Sequence, residues 1–127
     1  MARAAAGFDL VATACLLPGL ETRLLAALAE ADAALGLATP SPPLAPIGLL
    51  LANLAGALGV LWAWVRIARP WRELVAADAA ARCAVAAILV GAIELRGVTP
   101  VLYAFVATEL LGAAAQAWAL PRLPRRS

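Results

Sequence analysis

Histidine is absent from the 127 residues, and so is lysine. Without histidine the chain lacks the commonest general base and the commonest metal ligand. Its two cysteines, Cys15 and Cys83, are too few for a disulfide framework or a zinc site. Both fall within apolar stretches, where a small buried hydrophobe is the expected role. No CxxC, dinucleotide fingerprint or phosphate loop occurs; GFD, LPGL and GALG contain glycine without the rest of such a motif. Asp and Glu alone can act as acid and base, but nothing in their spacing supports catalysis. No enzyme activity, cofactor or metal is expected. Charge is scarce as well. The net charge is only +2, which gives a nucleic-acid partner no compositional support.

What is present is apolar. Hydrophobic residues make up 65 % of the chain and mean hydropathy is +0.90. A soluble domain is nearer half apolar, and a chain of this size buries only part of what it exposes. The expected solvent is a lipid bilayer. A hydrocarbon core of about 30 Å takes roughly 20 helical residues. Four segments approach that length: Ala4 to Leu20 with Asp9; Ile47 to Val65 with no charge; residues 74–94 with Asp78 and Arg82; and residues 99–120 with Glu109. The expectation is an all-α, integral-membrane four-helix bundle in one domain. The short charged head and Asp9 argue against a cleaved signal in the first segment. ATAC at 12–15 fits a lipoprotein site poorly.

Between the first two spans, ETRLLAALAEADAALGL repeats Leu24, Leu25, Leu28, Ala31 and Leu35 at helical spacing, with Glu21, Glu30 and Asp32 mostly elsewhere. This reads as an additional amphipathic surface helix over about 21–36, stopped by Gly36. Residues 38–46 hold four prolines and read as an extended linker. ELRGVTP at 94–100 reads as a tight turn, with Gly97 for flexibility and Pro100 in the first turn of the last helix.

Arginine sets the expected orientation. Arg3, Arg66, Arg69, Arg72, Arg122, Arg125 and Arg126 fall on one side, Arg23 and Arg96 on the other. The positive-inside rule puts both termini in the cytoplasm of a cell whose inner membrane the protein spans. Trp62, Trp64, Trp71 and Trp118 read as interfacial aromatics at that side. The tail PRLPRRS reads as part of the topology signal.

With that orientation, Arg82 and Glu109 lie at comparable depth, Asp9 and Asp78 are nearer the cytoplasmic end, and Gln116 is two turns from Glu109. Asp78 and Arg82 share a face at i,i+4, as do Glu109, Gly112 and Gln116. A charge in hydrocarbon costs at least about 2.5–3.5 kcal/mol. Glu109 is therefore expected to face inward and pair with Arg82, with Asp9 and Asp78 competing for the same guanidinium. The candidate intramembrane polar cluster is Asp9, Asp78, Arg82, Glu109 and Gln116. It either pins the helices or lines a polar pocket. Small-residue stripes (Ala79, Cys83, Ala87 and Gly91; Ala52, Gly56 and Val60, with Gly59; Ala104, Thr108 and Gly112) are expected to pack helices and, second, to face another copy.

NLAGALGVLWAWVR at 53–66, Arg82, and RGVTPVLYAFVATELLG at 96–112 resemble small four-helix bacterial membrane proteins of the DoxX-like and DUF4345-like type. There a glycine-bearing span follows an external segment, and a G-x-x-P turn leads into a helix with a Glu-Leu pair, here Glu109-Leu110. The resemblance covers about the second half of the chain. Some DoxX members are linked to respiratory quinone or sulfur chemistry; the resemblance implies only that Arg82 and Glu109 are the positions to watch. The expected role is an accessory or interaction subunit, with the bilayer and another membrane protein or a second copy as partners. The alternative is a binder or carrier of a small lipid- or quinone-like ligand using the cluster.

Overall fold

A computed structural model describes residues 2–37, 39, 45–69 and 71–123, with side chains from residue 6 onward. Most of the linker 38–46 and the end of the basic tail, 124–127, lie outside the described residues, as does the Arg3 side chain. Among the described residues the chain is all-helical: α1 (Ala2–Ala14), α2 (Glu21–Ala34), α3 (Pro46–Ala68), α4 (Arg72–Arg96) and α5 (Tyr103–Ala119). Short 3-10 turns, Pro100–Leu102 and Leu120–Arg122, extend α5 at both ends.

Among the described residues, three segments are long and apolar enough to cross a membrane: Pro46–Ala68, Arg72–Arg96 and Pro100–Arg122. Their outward faces carry Leu50, Leu51, Leu54, Leu58, Ile88, Leu95 and Leu111, all exposed. In water that surface would be costly, whereas acyl chains cover it without penalty. The chain is a multi-pass membrane protein.

The first segment departs from expectation. Its helix ends at Ala14 and turns through residues 15–20, instead of running to Leu20. Pro18 explains the early end: in a continued helix its ring would strike the carbonyl of Ala14 and it has no N–H to donate. At 13 residues, about 20 Å, α1 is too short to cross alone. α2 covers the stretch expected for the amphipathic helix and stops where Gly36 adopts a left-handed φ of 68°. Its inward side carries Leu24, Leu28 and Ala31, half-buried, together with the buried Glu21 and Asp32, while Leu25 and Leu35 are exposed. α4 ends the same way as α2, at Gly97 with φ 65°.

The helices pack as two pairs. α1 lies along α3, and α5 along α4. The first pair closes at glycine. A Cβ on Gly56 would stand 2.9 Å from the Leu16 backbone, and one on Gly59 2.5 Å from Thr13 Cγ2. These contacts run antiparallel, so α1 begins at the Arg66 end of α3 and stops near its middle. Ala6 and Ala63 are completely buried. In the second pair, Ala86, Ile93 and Val106 form a small apolar core with Leu89, Val90 and Leu102 against it. The α4 stripe serves neither pair: a Cβ added at Gly91 would meet nothing within 4 Å, and Cys83 is exposed instead of buried. Between the pairs, direct helix contact is slight, and α3 and α4 are bridged by side chains.

Candidate functional site: an intramembrane ionic network

The two helix pairs meet at polar side chains. α1 supplies Asp9. α3 supplies Trp62 and Arg66, α4 supplies Asp78 and Arg82, each pair one helical turn apart on one face. α5 supplies Glu109 and Gln116, with Gly112 between them on the same face.

Arg82 is the hub. Its Nη2 donates to Asp9, its Nε to Asp78 Oδ2 at 3.2 Å, and its Nη1 to Glu109 Oε2 at 3.0 Å. Arg66 joins the same carboxylates, through Nη2 to Asp9 and Nη1 to Asp78. Asp78 also accepts from Trp62 Nε1 at 2.7 Å and from Gln116 Nε2. The five residues expected to cluster are thus brought into one connected network. The comparable depth of Arg82 and Glu109 becomes a direct ion pair, and Asp9 and Asp78 share the guanidinium with it.

Two members escape the sequence reading. Arg66 reads in the sequence as one of a run of topology-setting arginines, yet it is only 4 % exposed. Trp62 reads as an interfacial aromatic, whereas its indole N–H is committed to Asp78. A signal for both exists: Trp62 and Arg66 stand four apart, the same spacing as Asp78 and Arg82, and a Trp-Arg face beside an Asp-Arg face invites a shared partner.

The network sits deep in its surroundings. Asp78 is 4 %, Arg82 6 % and Gln116 1 % exposed. Isolated, such charges are expensive to keep from water; here each guanidinium meets at least two carboxylates, and the geometry offsets the desolvation. Gly112 makes the arrangement possible, since a Cβ there would lie 2.7 Å from Arg82 Nη1 and 3.0 Å from its Cζ. Two buried atoms of the network have no partner among the described residues, the donor Arg66 Nε and the acceptor Gln116 Oε1.

Two clefts, both open to the protein surface, reach the network. One, of about 300 Å³, is walled by Phe8, Thr108, Leu111 and Gly112 and reaches Asp9 and Arg82. The other, of about 210 Å³, is walled by Thr13, Gly59, Trp62 and Val85 and reaches Asp9, Arg66, Asp78, Arg82 and Glu109. Asp9 and Arg82 belong to both. Among the described residues no three His, Cys, Asp or Glu side chains are grouped to hold a metal ion.

A separate polar contact ties α2 to the α4–α5 connection. Asp32 accepts from Thr99 Oγ1 and from the Thr39 backbone N–H at 2.8 Å, and Asp32 and Thr99 are both buried. The Thr99 hydroxyl holds the Asp32 carboxyl below the usual carboxylate range. The Thr99 Oγ also accepts from Val101 N–H at 3.2 Å, capping the turn into α5. Nearby, Tyr103 donates its hydroxyl to Glu94.

No family model, curated protein or solved structure matches the chain. The chemistry of the site rests on its geometry alone.

Proposed function

We propose that the chain is a non-enzymatic binder or carrier of a small lipid- or quinone-like ligand, held at the ionic network within the bilayer. The observation that carries this reading is the pair of cavities converging on Asp9 and Arg82. A network that only pinned helices would be closed by side chains on all sides. Here apolar walls lead to fixed polar groups, the usual make-up of a small-molecule site. Arg66 Nε, a buried donor without a partner among the described residues, suits an acceptor oxygen such as a carbonyl.

The topology that goes with this reading has four passages in a bacterial inner membrane, both termini on the cytoplasmic, arginine-rich side. α1 starts beside the Arg66 end of α3, and α3 starts at the opposite end, so the chain between them has to cross. The first passage is then made in two pieces, α1 to mid-depth and α2 beyond it. Discontinuous helices of this kind accompany midplane binding sites in transporters.

Mass spectrometry of protein released by mild detergent tests the proposal. The expected result is a stoichiometric lipid or quinone in the wild type that is lost from Leu111→Trp, which fills the first cavity. Wild-type protein carrying only bulk lipid, with no thermal shift on adding lipid or quinone analogues, overturns it.

A second reading, an accessory subunit of a membrane complex, draws on the outward-facing Ala79, Cys83, Ala87 and Gly91 stripe. Copurification of a stoichiometric membrane protein that is lost in Gly91→Ile would favour it.

A further inference from the structure

The network does not balance its charges. Three carboxylates, Asp9, Asp78 and Glu109, face two guanidiniums, Arg66 and Arg82. With all five ionised, the sum is three minus two, one negative charge in excess. The excess is not evenly shared. Asp9 takes both arginines, and Asp78 takes both arginines together with Trp62 and Gln116. Glu109 has one ion-pair contact, to Arg82, and its side chain is the most exposed of the three at 24 %, against 13 % for Asp9 and 6 % for Asp78.

Depth sharpens the consequence. Glu109 lies nine residues from Pro100 and thirteen from Arg122, about 14 and 20 Å from the two ends of its span. Hydrocarbon that deep does not tolerate a half-neutralised carboxylate; it requires a compensating positive charge. Among the described residues, the charged groups around Glu109 are Asp9 from α1, Arg66 from α3, and Asp78 and Arg82 from α4. No titratable residue of α2 lines the cavity.

Glu109 shares the smaller cavity with Trp62. The indole N–H is fixed on Asp78 at 2.7 Å, which sets the plane of the ring, and the side chain remains 37 % exposed. An anchored indole lining the same cavity as an under-compensated carboxylate is an environment that attracts an organic cation.

We propose that Glu109 is a proton–cation exchange site, protonated in the absence of ligand and giving up that proton to water when a monocationic amphiphile enters beside Trp62. This rests on the ligand-binding reading above and names the ligand's charge. The exchange is balanced: one O–H bond of the carboxylic acid is broken, one proton goes to solvent, one cation takes its place, and the network's charge is unchanged. The apolar part of the ligand occupies the cavity between Gly59 and Val85.

The test uses the full-length protein in nanodiscs with two probes, tetraphenylphosphonium and an uncharged short-chain quinone. Binding is followed by tryptophan fluorescence, and proton release by a pH dye in weak buffer. The expected result is saturable phosphonium binding with one proton released per cation, and affinity that rises about tenfold per pH unit over the range in which Glu109 is protonated. In Glu109→Gln the proton release and the pH dependence disappear, while thermal unfolding stays close to wild type. Dicyclohexylcarbodiimide, which modifies protonated carboxyls in apolar surroundings, should label Glu109 in the wild type, with phosphonium protecting it; this readout needs no variant. Phosphonium binding without proton release, or unchanged pH dependence in Glu109→Gln, overturns the exchange. If the neutral quinone binds and the phosphonium does not, the exchange fails and the ligand reading stands. If neither binds, both fail.

Discussion

Gly112 and Gly91 offer a matched comparison, because both are helical glycines in membrane-spanning segments and only one touches the network. Replacing glycine by alanine within a helix is worth about 0.5–1 kcal/mol in favour of the folded state, all else equal. At Gly91 all else is equal: nothing lies within 4 Å of the new Cβ. Gly91→Ala should be neutral or stabilising by that amount. At Gly112 the new Cβ would stand 2.7 Å from Arg82 Nη1 and 3.0 Å from Cζ. A free arginine tip would simply move aside. This one is held by Asp9, Asp78 and Glu109, so moving it sacrifices contacts. Overpacking costs about 1–3 kcal/mol. Weakening the hydrogen bond from the charged Arg82 guanidinium to Glu109 adds about 1.5–3 kcal/mol. Less the helix gain, Gly112→Ala should lose about 2–5 kcal/mol. Reversible unfolding in mixed micelles of increasing SDS fraction, followed by tryptophan fluorescence, measures both variants on one scale. If Gly112→Ala unfolds within about 1 kcal/mol of Gly91→Ala, Arg82 is not held as described and the network is looser than its geometry.

Trp62→Phe keeps a ring at the cavity wall but removes the N–H donated to Asp78 at 2.7 Å, and should cost about 1.5–3 kcal/mol in the same SDS titration. A cost near zero would mean that Asp78 is fully satisfied by the two arginines and Gln116. Asp32 predicts an acid sensitivity confined to α2. Its folded pKa lies below the ordinary value of 3.8, so its stabilising contribution is complete above that value and is lost as pH falls through the lower, folded one. Protection factors of α2 amides, corrected for intrinsic exchange, should fall below about pH 4 in the wild type, and in Thr99→Val they should already be lower at neutral pH; protection that does not change with pH would refute the link.

The polar cluster is legible in the sequence because depth along a membrane helix follows from counting residues. Arg82 and Glu109 pair by position before any fold is known, and helical spacing places Asp78 and Gln116 with them. Arg66 is not legible by the same route. The positive-inside pattern explains every arginine near the cytoplasmic end at once, and so hides that the Arg66 side chain turns inward. What sets it apart is α1, whose Asp9 reaches across 57 residues of sequence to meet it. Periodicity within one helix carries no information about that distance. The break after Ala14 is written in Pro18, but apolar composition carries past it to Leu20 and masks the stop. On α2 the apolar repeat marks the inward side through Leu24, Leu28 and Ala31, but it does not register that Glu21 and Asp32 are buried on that side too, Asp32 with a threonine waiting on another element. The glycines of α3 are legible only as small residues. That Gly56 and Gly59 admit Leu16 and Thr13 at such close range depends on where α1 lies.

The placement of the ionic network between the helix pairs bears on why it is ionic at all. A buried ion pair is a poor device for stability alone, and well-packed apolar residues often replace one at no loss. If joining α1–α3 to α4–α5 were the whole task, leucines and alanines would fill the gap as Ala86, Ile93 and Val106 fill the space between α4 and α5. Instead, the junction carries three carboxylates, two guanidiniums and two cavities, and leaves the least compensated carboxylate on a cavity wall. The same junction is where the helices touch least, so a ligand entering there displaces few packed side chains. None of the α4–α5 core residues Ala86, Ile93 and Val106 lines either cavity. Charge, space and weak packing coincide at one place in the fold, and a ligand site needs all three together, whereas a structural pin needs neither of the last two.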